Sequence, residues 1–188
     1  GHVMLKPIRT SAPATTPITV TEAKAHLRVS HTAEDTLIGT YVDAATSYLD
    51  GWSGVLGRCM VTQTWRQDFD GFTSPMNLPF PDASSVSIAY YDEDNASQTL
   101  SSTNYDLVTS DGQSWVQISE SGNWPTTYER PDAVRITATY GYGNAAAVPA
   151  ALKAALLLHV GSLFMGRADG DLPPAHAALI APYRVVGM

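Results

Sequence analysis

Five histidines, His2, His26, His31, His159 and His176, are the first residues to ask for chemistry, because imidazole ligates metals and carries protons near neutral pH. No two of them form a helical metal-binding pair with a third ligand nearby, so the sequence has no zinc signature. His159 falls in the apolar run 154–160, where a histidine reads as a core or interface residue bonding a carbonyl. Asp92, Glu93 and Asp94 crowd three carboxylates into one turn, a charge density suited to calcium, but the distal Glu of an EF-hand loop is missing and a solvated hairpin tip accounts for them. Neither a Gly-x-Ser-x-Gly elbow nor a phosphate-cradling Walker loop is present. Gly141-Tyr142-Gly143 lacks the third glycine of a dinucleotide fingerprint and reads as a turn. A dispersed site built from His159, Asp68 and Ser162 has no pattern behind it. Trp65, Trp115, Trp124, Tyr90, Tyr91 and Tyr128 are the residues of a stacking face for a sugar or base, set against their simpler role as core filling. No catalytic residue, metal or cofactor is expected.

The elements around these residues follow from periodicity and punctuation. Pro7, Pro13 and Pro17 forbid helix over residues 1–17 and predict an extended arm, either disordered or laid on a neighbour. Thr21 is the expected cap of a short helix ending near Val29. Thr32 with Glu34 and Asp35 then opens a long one, whose apolar face is Leu37, Ile38, Tyr41, Val42, Ala45, Tyr48, Leu49 and Trp52. Strands are predicted at 61–69, 86–91, 98–100, 105–108, 115–118 and 134–140, with Asp111-Gly112 turning a hairpin. Their spacers are too short for helical crossovers, so the sheet is antiparallel. Pro149 opens a last sure helix, 150–166, apolar over most of its circumference. Pro173-Pro174 interrupts the chain before a further turn or two at 175–181 and a short apolar tail.

The expected fold class is therefore α+β: a helical bundle of 21–54 and 150–166 with an inserted antiparallel β module at 58–143, in one domain over 18–166. An arm at 1–17 and a tail at 167–188 flank it. The length of 188 residues allows a sizeable core without metal or disulfide staples, and the single Cys59 excludes an internal disulfide and fits a reducing cytoplasm. No apolar run approaches the roughly 20 residues of a spanning helix. Gly1-His2-Val3 ahead of Met4 reads as a cloning remnant, and no secretory signal follows it. The net charge of −7, from 11 basic and 18 acidic residues, comes with basic residues scattered singly, which excludes tight gripping of a nucleic-acid backbone. An acidic surface can still line a passage along which DNA slides.

The order of the pieces carries more than any one of them. Ile18-Thr19-Val20-Thr21-Glu22-Ala23-Lys24-Ala25-His26-Leu27-Arg28-Val29, then Glu34-Asp35 and the long helix, resemble the opening of phage head-tail connector (adaptor) proteins, as found in long-tailed phages and gene transfer agents. Val61-Thr62-Gln63-Thr64-Trp65, Leu78-Pro79-Phe80-Pro81 and Val86-Ser87-Ile88-Ala89-Tyr90-Tyr91-Asp92 resemble that family's strand block. Residues 134–143, Val148-Pro149 and the helix after them resemble its close. The resemblance covers 18–166. It departs at Gly166-Arg167-Ala168, where many members carry an Arg-Glu pair.

The resemblance implies a non-enzymatic ring subunit, twelvefold, assembled in the bacterial cytoplasm. It would be seated in the particle between the capsid portal and a stopper or tail-terminator protein, with DNA passing through unread and no membrane involved. Extended termini then become interface elements. The Pro-bounded tail is the expected portal hook, through Leu179, Ile180, Pro182, Tyr183, Arg184, Val185 and Val186, and deleting 175–188 is expected to leave the fold intact. The helices are expected to supply the ring contacts through Tyr41, Tyr48 and His159, and the β module with its acidic turn to face the tail side or the channel. The alternative is a small-ligand, carbohydrate-binding β module of a phage tail component, using the sheet aromatics.

Overall fold

The computed structural model describes residues 5–167 and 171–185. The fold is α+β, with four α-helices and two antiparallel sheets among the described residues, and the chain divides into two compact units. One is the β unit, formed by the N-terminal segment through Ala12 and by 63–141. The other is the helical unit, formed by 13–62 and by the chain from Tyr142 onward.

In the β unit, β1 (Ile8–Ser11), β2 (Gln63–Phe69), β8 (Val134–Tyr140), β4 (Ser85–Tyr91) and β5 (Ser97–Thr99) form a five-stranded sheet in that order. The second sheet is β3 (Met76–Asn77), β7 (Gln113–Ile118) and β6 (Tyr105–Ser110). β8 shows why this segment is a strand. Val134, Ile136, Ala138 and Tyr140 are buried while Arg135, Thr137 and Thr139 are partly exposed, the period of two that a pleated strand imposes. Trp65 opposes Ala138 and Ile88 opposes Ile136 across the ladders. Phe80 packs edge-on to both Trp65 and Tyr140, with ring centroids 5.2 and 5.1 Å apart. The β6–β7 hairpin turns at Asp111-Gly112, where Gly112 takes φ 78°, a conformation open to glycine at no steric cost.

The predicted arm is in part a strand. Residues 8–11 pair antiparallel with β2, Ile8 opposite Arg66 and Arg9 opposite Trp65, and form one edge of the sheet. The Gln67 side chain also donates to the Leu5 carbonyl. Pro7 and Pro13 bracket this strand, which is consistent with proline's exclusion from strand interiors.

In the helical unit, α1 (Val20–Leu27) is capped by Thr19 and not by Thr21. Thr19 Oγ1 accepts from the Glu22 N–H at 3.0 Å while Glu22 reaches back to the Thr19 N–H, so the signature is Thr-x-x-Glu read from Thr19. α2 (Asp35–Leu49) starts after Thr32 and ends before Trp52, shorter than its periodicity predicts. It buries Ile38, Val42, Ala45 and Leu49. α3 (Ala150–Phe164) buries Leu152, Ala155, Leu156, His159, Val160 and Ser162. Lys24 of α1 pairs with Asp35 of α2 at 2.7 Å. The segment after Pro173 is α4 (Pro174–Ile180), followed by a single 3-10 turn, Ala181–Tyr183. α4 packs on α3 and places Ile180 in the same core as Ile38, Leu49, Leu56, Leu152 and Leu156.

Candidate functional site

The C-terminal segment, expected to hang free as a hook, is fastened to the helical unit. Ile180 is 6% exposed and His176 2%, while Leu179 and Tyr183 pack against the core. The loop after α2 then holds the backbone beyond α4. Arg58 Nε donates to the Tyr183 carbonyl at 2.7 Å, and the Val185 N–H donates to the Leu56 carbonyl at 2.7 Å. Arg184 Nε donates back to the Val55 carbonyl at 3.1 Å. Gly57 completes the seat. It takes φ 68°, and a Cβ there would lie 2.9 Å from the Val185 carbonyl oxygen, so the close approach requires glycine.

Ile180 fills the subunit's own core and His176 is buried beside it, so residues 175–180 contribute to the packing of the helical unit. Pro182 and Arg184 remain exposed, Leu179, Tyr183 and Val185 are half-buried, and Val186 lies outside the described residues. Arg58 and Gly57 were missed as anchors by the sequence reading. The available signal was that Arg58 is the sole Lys or Arg between Arg28 and Arg66, set inside the apolar stretch 55–61.

The three residues assigned to ring contacts separate. His159 is 1% exposed and lies inside the helical unit. Its ring lies edge-on to Tyr48, 5.2 Å between centroids, and edge-on to His176, 5.7 Å away. Tyr48 also meets His176 at 5.9 Å and so caps a pair of histidines contributed by α3 and α4. Burial, and next the proximity of His159, lower the pKa of His176 from the ordinary histidine value. Tyr41 is half-buried against the core, while Tyr48 stays 37% exposed.

α2 is apolar on more than its core-facing side. Leu37, Ala44 and Tyr48 lie along its exposed flank with the half-buried Tyr41 between them, at steps of four, three and four, and Trp52 follows just past its end. Leu37 is 44% exposed and Trp52 46%. The predicted apolar face joins Leu37, Tyr41, Tyr48 and Trp52 of this stripe to the buried positions 38/42/45/49, because the two run side by side at helical spacing, and omits Ala44.

On the β unit the acidic turn holds itself together. Asp92 accepts from the N–H groups of Asp94 and Ala96, each at 3.0 Å, and from Gln98 Nε2 at 2.8 Å. These bonds, the one from Gln98 first, lower its pKa. No group of three or more His, Cys, Asp or Glu suited to a metal ion occurs among the described residues. Asp132 receives both Arg130, at 2.6 Å, and Arg135, at 2.8 Å, which hold its carboxyl far below the usual range. The Arg130 guanidinium lies 3.6 Å from the centre of the Tyr91 ring.

Most of the sheet aromatics considered for a sugar-binding face are engaged by neighbours within the β unit. Phe72 stacks on Trp124 at 4.9 Å and meets Tyr90 edge-on at 5.7 Å, Trp65 packs on Phe80, and Trp115 donates to Gln117. Only Tyr128 of the six is exposed, at 43%. Asp68 is engaged by Arg66 within the β unit, whereas His159 and Ser162 belong to α3. Charge also divides by unit. Eleven acidic against five basic residues give the β unit −6, and seven acidic against six basic leave the helical unit at −1.

Comparison with known proteins adds three findings. Residues 17–130, more than half of the chain and parts of both units, match the family model described as phage gp6-like head-tail connector protein. No curated protein sequence matches the chain. Solved structures share the fold at low identity. One chain from a virion of a native gene transfer agent particle has a TM-score of 0.79 at 21% identity, covering 98% of this chain and 97% of that one. A chain from the neck of a native particle computed with C12 symmetry has a TM-score of 0.77 at 19% identity, and one from the neck of an empty particle computed with C6 symmetry 0.76 at 20%, both with the same coverage.

Proposed function

The chain belongs to the phage gp6-like head-tail connector family, and from that premise we propose that it forms a ring, twelvefold, joining a capsid portal to a stopper or tail-terminator protein. As a structural connector it needs rigidity and surfaces more than chemistry. The observation that carries the reading is the family match across both units, joined to a fold shared over 98% of the chain with particle and neck subunits. A closed ring is a heterologous assembly in which two different faces of one subunit meet. The concentration of negative charge on the β unit supports DNA passing without being gripped, because a passage wall with few cations releases few counterions and binds weakly.

The fastened C-terminal segment is the portal-facing element in this reading, with Pro182 and Arg184 as its outward residues. Its seat on Arg58 and Gly57 makes it a preorganised contact rather than a loose hook. The test is to mix the purified chain with portal complexes and image the product by electron microscopy, with Arg184→Glu in parallel. A coaxial ring on the portal from the unaltered chain, weakened by Arg184→Glu, is expected. A folded chain that associates with neither portal nor tail components would overturn the proposal.

A further inference from the structure

We propose that the exposed stripe of α2 on one subunit is covered by the β1 edge of the next copy, an assignment that rests on the ring reading above. The two surfaces match in kind. The stripe presents Leu37, Ala44, Tyr48 and Trp52. Residues 34–50 carry Glu34, Asp35, Asp43 and Asp50 with no Lys or Arg; Asp35 is paired with Lys24 of α1 and Asp50 accepts from the Met60 N–H, which leaves Glu34 and Asp43 as the acidic groups of this surface. The β1 segment exposes Leu5 at 38% and Ile8 at 49%, and between residues 5 and 21 its charged residues are Lys6 and Arg9, both cationic.

β1 is also the end of its sheet, so among the described residues one side of its backbone has no neighbouring strand, and such edges are covered or guarded in stable proteins. Pairing α2 with α2 would set acidic against acidic, and pairing β1 with β1 would set basic against basic. Both pairings are isologous and stop at a dimer. Only the crosswise contact joins unlike charge and repeats around a ring.

Disulfide trapping in the full chain tests it, since the native Cys59 is buried and Ser11 and Ser47 are exposed beside the two surfaces. Ser11→Cys and Ser47→Cys combined, assembled with portal complexes and oxidised, should give a ladder of covalent oligomers, and each variant alone should stay monomeric on a denaturing gel. Leu37→Ser and Arg9→Glu, both at exposed positions, should each raise the concentration for half-assembly by about tenfold, with the melting of the isolated chain unchanged. Rings that form without a ladder, and that ignore both substitutions, would place the contact elsewhere and leave the ring reading standing. Covalent dimers from either single cysteine variant would show an isologous contact and refute the assignment. No ring from the unaltered chain would remove the assignment and the ring reading together.

Discussion

Replacing Ile180 by alanine separates a docked C-terminal segment from a free one. The side chain is 6% exposed and sits among core residues of α2, α3 and the loop at Leu56. The change removes three carbons, worth about 0.8 kcal/mol each on transfer, or about 2.4 kcal/mol. Incomplete collapse of the space left behind adds to this, although α4 is only seven residues long and can settle inward, which favours the low side of the roughly 2–5 kcal/mol seen for such truncations. A loss of about 2.5–3 kcal/mol follows. Hydrogen exchange reads it locally, through the amides of Ala181, Arg184 and Val185, which donate to Ala177, Ile180 and Leu56 respectively. If these amides exchange by opening of α4, their rates should rise about seventy- to hundred-and-fifty-fold. The strands of the β unit should keep their protection. A rise of under about fivefold would refute the argument that Ile180 ties this segment to the core.

Two further predictions follow from features of the helical unit. Thr19→Ala removes the cap of α1 and should cost about 1 kcal/mol, seen as faster exchange of the Glu22 and Ala23 amides, whereas Thr21→Ala should cost a small fraction of that. Acid should loosen α4. Because the pKa of His176 is lowered in the folded chain, the unfolded chain takes up the proton first, so this residue's contribution is complete above the ordinary value of 6.5 and is lost as pH falls toward and below its folded value. The groups meeting its ring are Tyr48 from α2 and His159 from α3, neither of which supplies a compensating negative charge. Exchange in α4, corrected for intrinsic rates, should therefore accelerate as pH falls below the ordinary histidine value of 6.5, and His176→Phe should flatten the dependence; identical pH profiles for the two proteins would count against it.

Much of the architecture was legible because long periodic segments leave few alternatives. β8 carries a strict alternation and α3 an apolar circumference bounded by Pro149, and both stand where periodicity puts them. What was illegible depends on contacts remote in sequence. Residues 8–11 have no alternation of their own, and only pairing with β2, more than fifty residues away, makes them a strand. Ile180 and His176 look like tail residues until the core of α2 and α3 exists to receive them. Along α2, Leu37 and Ile38 are neighbours of equal hydropathy, so sequence alone cannot tell the face that closes the subunit from the face that stays open. Thr19 was legible and misread, because Thr21 also precedes a carboxylate and only the three-residue spacing to Glu22 distinguishes the true cap.

The way the β unit is threaded into the helical one sets an order of events during synthesis. Residues 63–141 leave and rejoin the helical unit side by side, where Thr62 N–H donates to the Gly143 carbonyl at 2.9 Å and Tyr142 N–H to the Met60 carbonyl at 2.8 Å. Bringing α2 and α3 together across about eighty unstructured residues carries a larger closure entropy than joining them across a stub of about five, by some four doublings of length or about 2–3 kcal/mol. The nascent chain therefore gains by zipping the β6–β7 hairpin and the β2, β4 and β8 ladders first, while α1 and α2 wait without their partner. Only when the residues of α3 and α4 have emerged can the helical core close, which makes its completion a late step in the folding of the subunit.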